Sequence, residues 1–258
     1  MQTMKELYNY REMIFSLVKR DLRGRYKGSA LGFLWTFLNP LLQLAVYTVV
    51  FSVIMKAGID KFYLFLFVAL VPWLFFGTCL SGGASCIWAQ QDMVKKIYFP
   101  REVLPLSYTI SQFINMLLSF LVIFVVLIFS GVGIDFKAVL YLPLIMSIEF
   151  VLALGITFIT SSVTVYLRDL EYVLGIIQMV WMYMTPILYS IEMVPEELQG
   201  IFALNPMTSI VVAYRDILYY KQVPDLSTLL QAGVLGGVIL IIGIFVFEKL
   251  KRNFAEEL

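Results

Sequence analysis

Uncharged apolar runs recur along this chain at lengths that match the thickness of a membrane. The runs without Asp, Glu, Lys or Arg are Gly28–Met55, Phe62–Gln91, Val103–Ile134, Tyr172–Ile191 and Leu226–Phe247. Each reaches about 20 residues, and a helix of that length crosses the hydrocarbon core at about 1.5 Å per residue. The pattern therefore predicts five membrane-spanning helices.

A sixth apolar run, Ala138–Leu167, carries Glu149 near its middle. A central charge costs about 2.5–3.5 kcal/mol on insertion, whereas each Leu, Ile, Val or Phe returns about 0.3–0.6 kcal/mol. Thirteen such residues lie between Val139 and Ile159, so we expect this segment to insert as well. Glu149 would then either form a hydrogen bond between helices or face a channel.

The predicted fold is an all-α, polytopic membrane protein with six transmembrane helices. The spans are expected at about residues 30–55, 62–84, 105–130, 138–165, 172–190 and 226–248. Residues 1–29 would form an N-terminal amphipathic interface helix, and residues 30–258 would form one transmembrane domain.

One further uncharged segment, Leu198–Tyr214, is short and is interrupted by Asn205 and Pro206. A seventh crossing there would also carry the basic tail to the other side of the membrane. Short re-entrant helices over about residues 195–220, bordering a pathway as an outer gate, fit this segment. An outer loop lying on the lipid headgroups fits its composition equally well.

The distribution of positive charge predicts the orientation. The chain is 60% hydrophobic and only 14% charged, and its net charge of +1 conceals a strong asymmetry. With six spans, fourteen of the 19 Lys and Arg residues fall on the side that holds both termini. The positive-inside rule makes that side cytoplasmic, which predicts a multi-pass protein with cytoplasmic N- and C-termini.

Composition also excludes several kinds of chemistry. The chain has no histidine, so imidazole-based catalysis and imidazole metal sites are ruled out. Cys79 and Cys86 suit small apolar packing, and no P-loop motif occurs. We expect no catalytic residue, no metal site, no cofactor held by this chain and no nucleic-acid partner.

Two segments on the predicted cytoplasmic side remain open to more than one interpretation. The leader has an apolar helical face and a basic face, whose cations either hold the N-terminus inside or bind an anionic headgroup at the entrance of a pathway. These cations are Lys19, Arg20, Arg23, Arg25 and Lys27. Residues 92–99, stopped by Pro100, either dock into a soluble partner or form a solvated turn. The docking residues would be Asp92, Lys95, Lys96, Ile97, Tyr98 and Phe99.

Aromatic residues offer a candidate lining for a path through the membrane. Aromatic faces contact a passing molecule without tight binding, which would let a long chain slide. The candidates are Phe33, Phe37, Tyr47 and Phe51 in the first span, and Tyr172, Trp181 and Tyr183 in the fifth. Packing against lipid and neighbouring helices explains any one of them equally well.

Arg168 and Asp169 form either an ion pair in the turn between the fourth and fifth spans or a headgroup contact.

Short motifs spread over nearly the whole chain give it a family resemblance. They are Lys19-Arg20-Asp21-Leu22, Tyr26-Lys27-Gly28-Ser29, Leu31-Gly32, Trp35, Asn39-Pro40, Pro72-Trp73, the run from Tyr98 to Pro105, Arg168-Asp169-Leu170, Pro186-Ile187-Leu188-Tyr189, Asn205-Pro206 and Tyr214-Arg215. In this order the chain resembles the ABC-2 type permeases that export polysaccharides such as O-antigen and teichoic acid. The motifs say little about which polysaccharide is carried.

The resemblance implies a half-transporter in a bacterial inner membrane. It would pair with a second copy of itself and bind two copies of a separate ATPase subunit that carries ATP and Mg²⁺. Residues 92–99 would be the coupling helix, and a lipid-linked polysaccharide would cross through the homodimer. A secondary transporter or channel for a smaller solute is the alternative, although it would be expected to show more paired intramembrane charges.

Overall fold

The computed structural model describes residues 2–24, 28–54 and 58–258, and these residues form helices joined by short connections. In chain order the helices are α1 (Gln2–Asn9), α2 (Arg11–Gly24), α3 (Trp35–Thr48), α4 (Phe62–Gly77), α5 (Gln91–Lys96), α6 (Val103–Phe129), α7 (Phe136–Val139), α8 (Leu142–Tyr166), α9 (Leu170–Tyr183), α10 (Glu196–Ala203), α11 (Pro206–Arg215), α12 (Leu226–Leu250) and α13 (Phe254–Glu257). Wider π-helical turns extend three of them: Val49–Ile54 follows α3, Thr78–Gly82 follows α4 and Asp216–Tyr220 follows α11.

Five helical segments among the described residues are long and apolar enough to cross a membrane. They are Gly32–Ile54, Phe62–Gly82, Val103–Phe129, Phe136–Tyr166 and Leu226–Glu257. The polytopic all-α class predicted from the sequence is confirmed. The fifth predicted span, at about 172–190, is a helix of 14 residues that ends at Tyr183. It is followed by turns from Met184 to Ser190 rather than by a continued helix.

Helix α4 lies at the centre of the bundle because it is apolar on every side. In the most apolar 18-residue stretch of the span that contains α4, 83% of the residues are buried. The corresponding share in the span that contains α3 is 11%. Helices α3 and α6 pack on it, and α11 covers part of its remaining surface. The main apolar core is therefore built around α4.

Helices α8 and α12 form the most extensive helix pair, and glycines allow their backbones to approach closely. A Cβ added at Gly155 would lie 2.7 Å from Leu240 Cα, and one added at Gly243 would meet the carbonyl oxygen of Gly155. Because these contacts are with backbone atoms, a side chain cannot be accommodated by a change of rotamer. The pair depends on glycine at both positions.

The segment between α9 and α12 is a bent pair of helices, which is one of the two interpretations that the sequence left open for residues 195–220. The helical axis turns by 100° between Glu196–Ala203 and Pro206–Tyr220. Asn205 and Pro206 stand at the bend and begin α11, where the Asn205 side chain accepts a hydrogen bond from the Met207 N–H at 3.0 Å. We call α10 and α11 the bent pair.

Substituting Gly243 by Ala should destabilise the bundle, since the new methyl group meets the Gly155 backbone of α8. We expect a loss of about 1–3 kcal/mol in the free energy of unfolding, measured in mixed micelles. Gly237→Ala is the matched control on the same helix, because nothing lies within 4 Å of its added Cβ. Equal stability of the two variants would contradict the assignment of a close α8–α12 contact.

Candidate transport path and coupling surface

The guanidinium of Arg215, at the end of α11, is buried and surrounded by backbone carbonyl groups. Only 3% of the residue is exposed. It donates hydrogen bonds to the carbonyl oxygens of Pro186 (2.5 Å), Ile187 (2.6 Å) and Tyr189 (3.2 Å). It also donates to the Phe65 carbonyl at 3.3 Å and lies 3.5 Å above the Phe65 ring. Arg215 therefore joins α11 to the start of α4 and to the irregular segment that follows α9.

Arg215 is one of the five cations that the charge count placed on the side opposite the termini. Its burial shows that its charge is satisfied inside the protein by carbonyl dipoles rather than by solvent. Non-helical backbone at membrane depth leaves polar groups that need partners, and a guanidinium with five donors can supply several at once. The contact explains how the chain can leave the helix at Met184 without exposing those carbonyls.

Asn205 fixes the bend of the pair against the end of α9. Its carbonyl oxygen accepts from the Trp181 indole N–H at 2.9 Å, and its amide donates to Met184 O at 3.1 Å and to Thr185 Oγ1 at 2.9 Å. The Trp181 ring also packs edge-on against Phe76 of α4, with centroids 5.0 Å apart. Trp181 is thus held between α4 and the bent pair, and its place in a channel lining stays a prediction.

Glu149 connects α8 to the bent pair. Its Oε2 accepts a hydrogen bond from the hydroxyl of Tyr214 at 2.6 Å, and both residues are fully buried. The Tyr214 ring in turn packs against Phe120 of α6, with centroids 5.5 Å apart. Of the two roles considered from the sequence, a hydrogen bond between helices and a channel-facing acid, the structure supports the first.

The remaining aromatic candidates fall into two groups. Tyr172, Tyr183 and Phe33 are well exposed, at 80%, 62% and 49%. Phe37 is partly covered and meets Phe33 edge-on at 5.3 Å. Tyr47 and Phe51 pack against the main core, where Phe51 stacks on Phe62 at 6.1 Å. The exposed aromatic surface therefore lies mainly on α9 and at the start of α3.

The predicted coupling segment is a short helix followed by extended chain. Helix α5 ends at Lys96, so the expected helix over 92–99 is too long by three residues. Asp92 and Lys96 form an exposed ion pair at 3.1 Å. Lys95 and Ile97 are exposed, and Tyr98 is 92% exposed.

Phe99 does not belong to this exposed surface, although the sequence analysis placed it there. It is only 3% exposed and packs in an apolar cluster with residues of α2, α5, α6, α8 and α12. The Arg101 guanidinium covers its ring at 4.7 Å. Because Phe99 is anchored inside, it holds Ile97 and Tyr98 outward. We call Asp92, Lys95, Lys96, Ile97 and Tyr98 the coupling surface.

The C-terminal end braces the coupling surface from behind. Glu102, at the start of α6, forms an ion pair with Lys251 at 2.5 Å, and Lys251 also contacts Glu248 at 2.8 Å. Phe254 is fully buried in the same cluster as Phe99. The end of the bundle that carries α5 and both termini is therefore a fixed support, and we call it the basic end.

The leader packs along this end of the bundle. Leu17 and Val18 are buried, and the hydroxyl of Ser111 in α6 donates to the carboxylate of Asp21. Lys19, Arg20 and Arg23 are exposed. The amphipathic helix predicted from the sequence is two helices, α1 and α2, and the other two predicted headgroup cations, Arg25 and Lys27, lie outside the described residues.

Arg168 has a partner other than Asp169. Its guanidinium lies 3.7 Å above the ring of Trp88, near the basic end. The ion pairs that the described residues form do not include one between Arg168 and Asp169. The contact with Trp88 links the turn between α8 and α9 to the segment before α5, and it is neither of the two contacts considered from the sequence.

The long apolar helices, the bent pair and the braced helix at the basic end together define a polytopic membrane protein with the build of a transporter subunit. Residues 12–219 match the family described as ABC-2 type transporter. The chain belongs to this family, as the motifs of the sequence indicated.

Curated relatives cover almost the whole chain. The O-antigen export system permease protein RfbA of Myxococcus xanthus is 37% identical over 257 residues, which is 99% of this chain and 98% of that protein. The protein of the same name from Klebsiella pneumoniae is 32% identical over 250 residues, or 95% and 94% of the two chains. The polysialic acid transport protein KpsM of Escherichia coli is 22% identical over 239 residues, or 90% and 91%.

Replacing Arg215 by Gln should destabilise the outer end, because the shorter amide cannot satisfy carbonyl groups on two segments. We expect a loss of at least about 3 kcal/mol in the free energy of unfolding. Faster proteolysis within residues 184–190 should accompany this loss. Arg215→Lys keeps the charge but lacks the planar guanidinium, so its free energy of unfolding should lie between those of the wild type and of Arg215→Gln. Lys137→Gln, at an exposed position, is the control, and an Arg215→Gln variant as stable as that control would refute the assigned contact.

Proposed function

We propose that this chain is the membrane-spanning subunit of an ATP-driven exporter that moves a lipid-linked polysaccharide, such as O-antigen, out of the cytoplasm. The observation that carries the proposal is similarity over nearly the full length to O-antigen export permeases, together with membership of the ABC-2 family. The more distant similarity to a polysialic acid transport protein supports a polysaccharide as the class of substrate. The membrane would be the bacterial inner membrane, with the basic end in the cytoplasm.

The energy source would be a separate ABC ATPase subunit, present in two copies with ATP and Mg²⁺. This chain has no P-loop sequence of its own. The coupling surface offers the features of a docking element: an exposed aromatic residue, Tyr98, beside an exposed apolar one, Ile97, and flanking charges that can orient a partner. Because Phe99 and the Glu102–Lys251 ion pair hold it to the bundle, a push on this surface would be passed to α6 and α12.

A second copy of the chain would complete the path. Helix α9 spans about 21 Å at 1.5 Å per residue, which is short for a bilayer of about 30 Å, so lipid fits poorly beside it. Leu174 is the residue of α9 that is buried, and most of the helix faces outward. A twofold arrangement that brings α3 and α9 of two copies together would cover these faces and place Tyr172, Tyr183 and Phe33 around a continuous channel.

Substituting Tyr98 by Ala should weaken attachment of the ATPase. Loss of a central aromatic anchor costs about 2 kcal/mol, or roughly 30-fold in affinity. The measurement is co-purification of the ATPase with the tagged chain in detergent, together with its ATP hydrolysis. Tyr98→Phe keeps the ring and should retain most of the binding, and Phe136→Ala, 87% exposed at the opposite end, is the control.

The same experiment tests the proposed function itself. An ATPase encoded with this chain should co-purify with the wild-type protein, and the pair should hydrolyse ATP. A chain that exports its substrate at full rate without any ATPase would overturn the proposal and favour a secondary transporter. Normal ATPase binding by Tyr98→Ala would refute only the assigned coupling surface.

Ala substitutions at Tyr183 and Phe33 should slow polysaccharide export without detaching the ATPase. Removing one aromatic face from a sliding chain costs about 0.5–1.5 kcal/mol, so each change should slow export by about three- to tenfold. Export is measured as polysaccharide that reaches the cell surface over time. Phe129→Ala, 86% exposed at the tip of α6, should leave the rate unchanged. Normal export by both lining variants would place the path elsewhere.

A further inference from the structure

A cavity of 540 Å³ lies between α3, α4 and α6, and its walls are rich in uncharged polar groups. Four carboxamide side chains reach it, from Asn39 and Gln43 of α3 and from Gln112 and Asn115 of α6. Hydroxyl groups of Thr78 and Ser119 add to them. The volume falls in the range of sites that hold small ligands.

This cavity extends from the start of α3, where Ser29 and Trp35 line it, to the middle of the membrane-spanning helices, where Gln43 and Asn115 line it. Asn115 is about 18 Å along α6 from its start at Val103, and Gln43 is about 16 Å from the start of its segment at Gly32, at 1.5 Å per residue. Both positions are close to half the length of their helices. Carboxamides at this depth are costly in lipid unless a polar partner is present, so clustered ones mark a functional surface.

The two carboxamides of α3 are exposed, which sets them apart from the polar groups that serve the bundle itself. Asn39 and Gln43 stand one helical turn apart on the same face. Facing hydrocarbon, their amide groups would lack hydrogen-bond partners. They instead border the cavity, where a polar occupant can satisfy them.

The chemistry of the walls selects the occupant. Among the residues that the structure describes, no Asp, Glu, Lys or Arg lines the cavity, so its described walls do not favour a phosphate or another ion. A carboxamide donates and accepts hydrogen bonds at once, and this matches the hydroxyl groups of a sugar, which also do both. The rings of Trp35 and Phe75 in the same walls offer apolar faces on which a sugar can stack.

A second cavity, of 470 Å³, lies next to the first, on the side of the basic end, and it has the opposite character. Arg20 and Asp21 of α2 line it. Tyr108 also lines this cavity, and its hydroxyl donates to the carbonyl oxygen of Thr78, a residue of the first cavity, at 3.3 Å. Among the described residues, charged side chains therefore line the second cavity and not the first, and Tyr108 stands between the two.

From these observations we propose that the cavity between α3, α4 and α6 is a binding subsite for uncharged sugar units of the transported chain. This proposal rests on the proposed function, and it adds a binding site away from the aromatic surfaces of α3 and α9. Asn39, Gln43 and Asn115 would hold successive sugar hydroxyls by hydrogen bonds that are individually weak enough to exchange as the chain moves.

The test is photocrosslinking in the full exporter, with ATPase and polysaccharide present in cells. A diazirine amino acid replaces Gln43 or Asn115, and Ile241 of α12, 69% exposed, is the control position. We expect the crosslinked product at Gln43 and Asn115 to carry polysaccharide, at least about tenfold above Ile241. Product that carries phospholipid alone at these positions would overturn the subsite.

Export by substituted exporters gives the second measurement. The double variant Gln43→Leu/Asn115→Leu removes two hydrogen-bonding groups at similar volume and should slow export by about tenfold, with ATPase co-purification unchanged. Export at the wild-type rate by this variant would overturn the subsite while leaving the exporter intact. A wild-type chain that exports no polysaccharide and binds no ATPase would instead overturn the proposed function, and the subsite with it. If the double variant is unstable in micelles, the crosslinking result decides.

Discussion

The end of the bundle opposite the basic end depends on one buried cation, Arg215, which donates hydrogen bonds to the carbonyl groups of irregular backbone. When α9 ends at Tyr183, the carbonyl groups of the following turns lose the partners that a helix would give them. In the interior of a membrane protein such groups must find donors within the chain. Arg215 supplies them on two segments at once and needs no carboxylate, because its charge is spread over several carbonyl dipoles. Arg215 therefore links the segment after α9, the bent pair and the start of α4.

The two ends of the bundle are held by different kinds of interaction. At the end opposite the basic end, hydrogen bonds from Arg215, Asn205 and Tyr214 add to the burial of α11 in the main apolar core. At the basic end, an apolar cluster around Phe99 and Phe254 is closed by the Glu102–Lys251 ion pair. Directional bonds favour a small number of discrete arrangements, as a gate requires, whereas an apolar cluster suits an element that must stay attached while it transmits force.

Sequence patterns predicted the long helices well because hydrocarbon thickness constrains each one separately. The predicted starts at 105 and 138 lie two residues from Val103 and Phe136, and the bend at Asn205 and Pro206 follows from local turn chemistry. Sequence patterns could not predict the burial or the contacts of a side chain whose partner lies in a distant part of the chain. Nothing in the periodicity distinguishes Phe99, which is buried, from Tyr98, which is exposed. The contacts of Trp181 with Asn205 and of Arg215 with residues 186–189 could not be predicted from the sequence for the same reason.

The placement of charge suggests how one path can suit both ends of an amphiphilic substrate. Cations of α2 lie at the basic end, uncharged carboxamides lie at half depth between α3 and α6, and exposed aromatic rings lie on α9 and at the start of α3. An anionic headgroup binds most favourably beside the cations of α2. A neutral sugar binds favourably at the carboxamides and at the aromatic rings. Because neither the carboxamides nor the rings bind by charge, a long sugar chain meets many similar weak contacts rather than one deep minimum. Movement driven from the coupling surface then has only small barriers to overcome at each step.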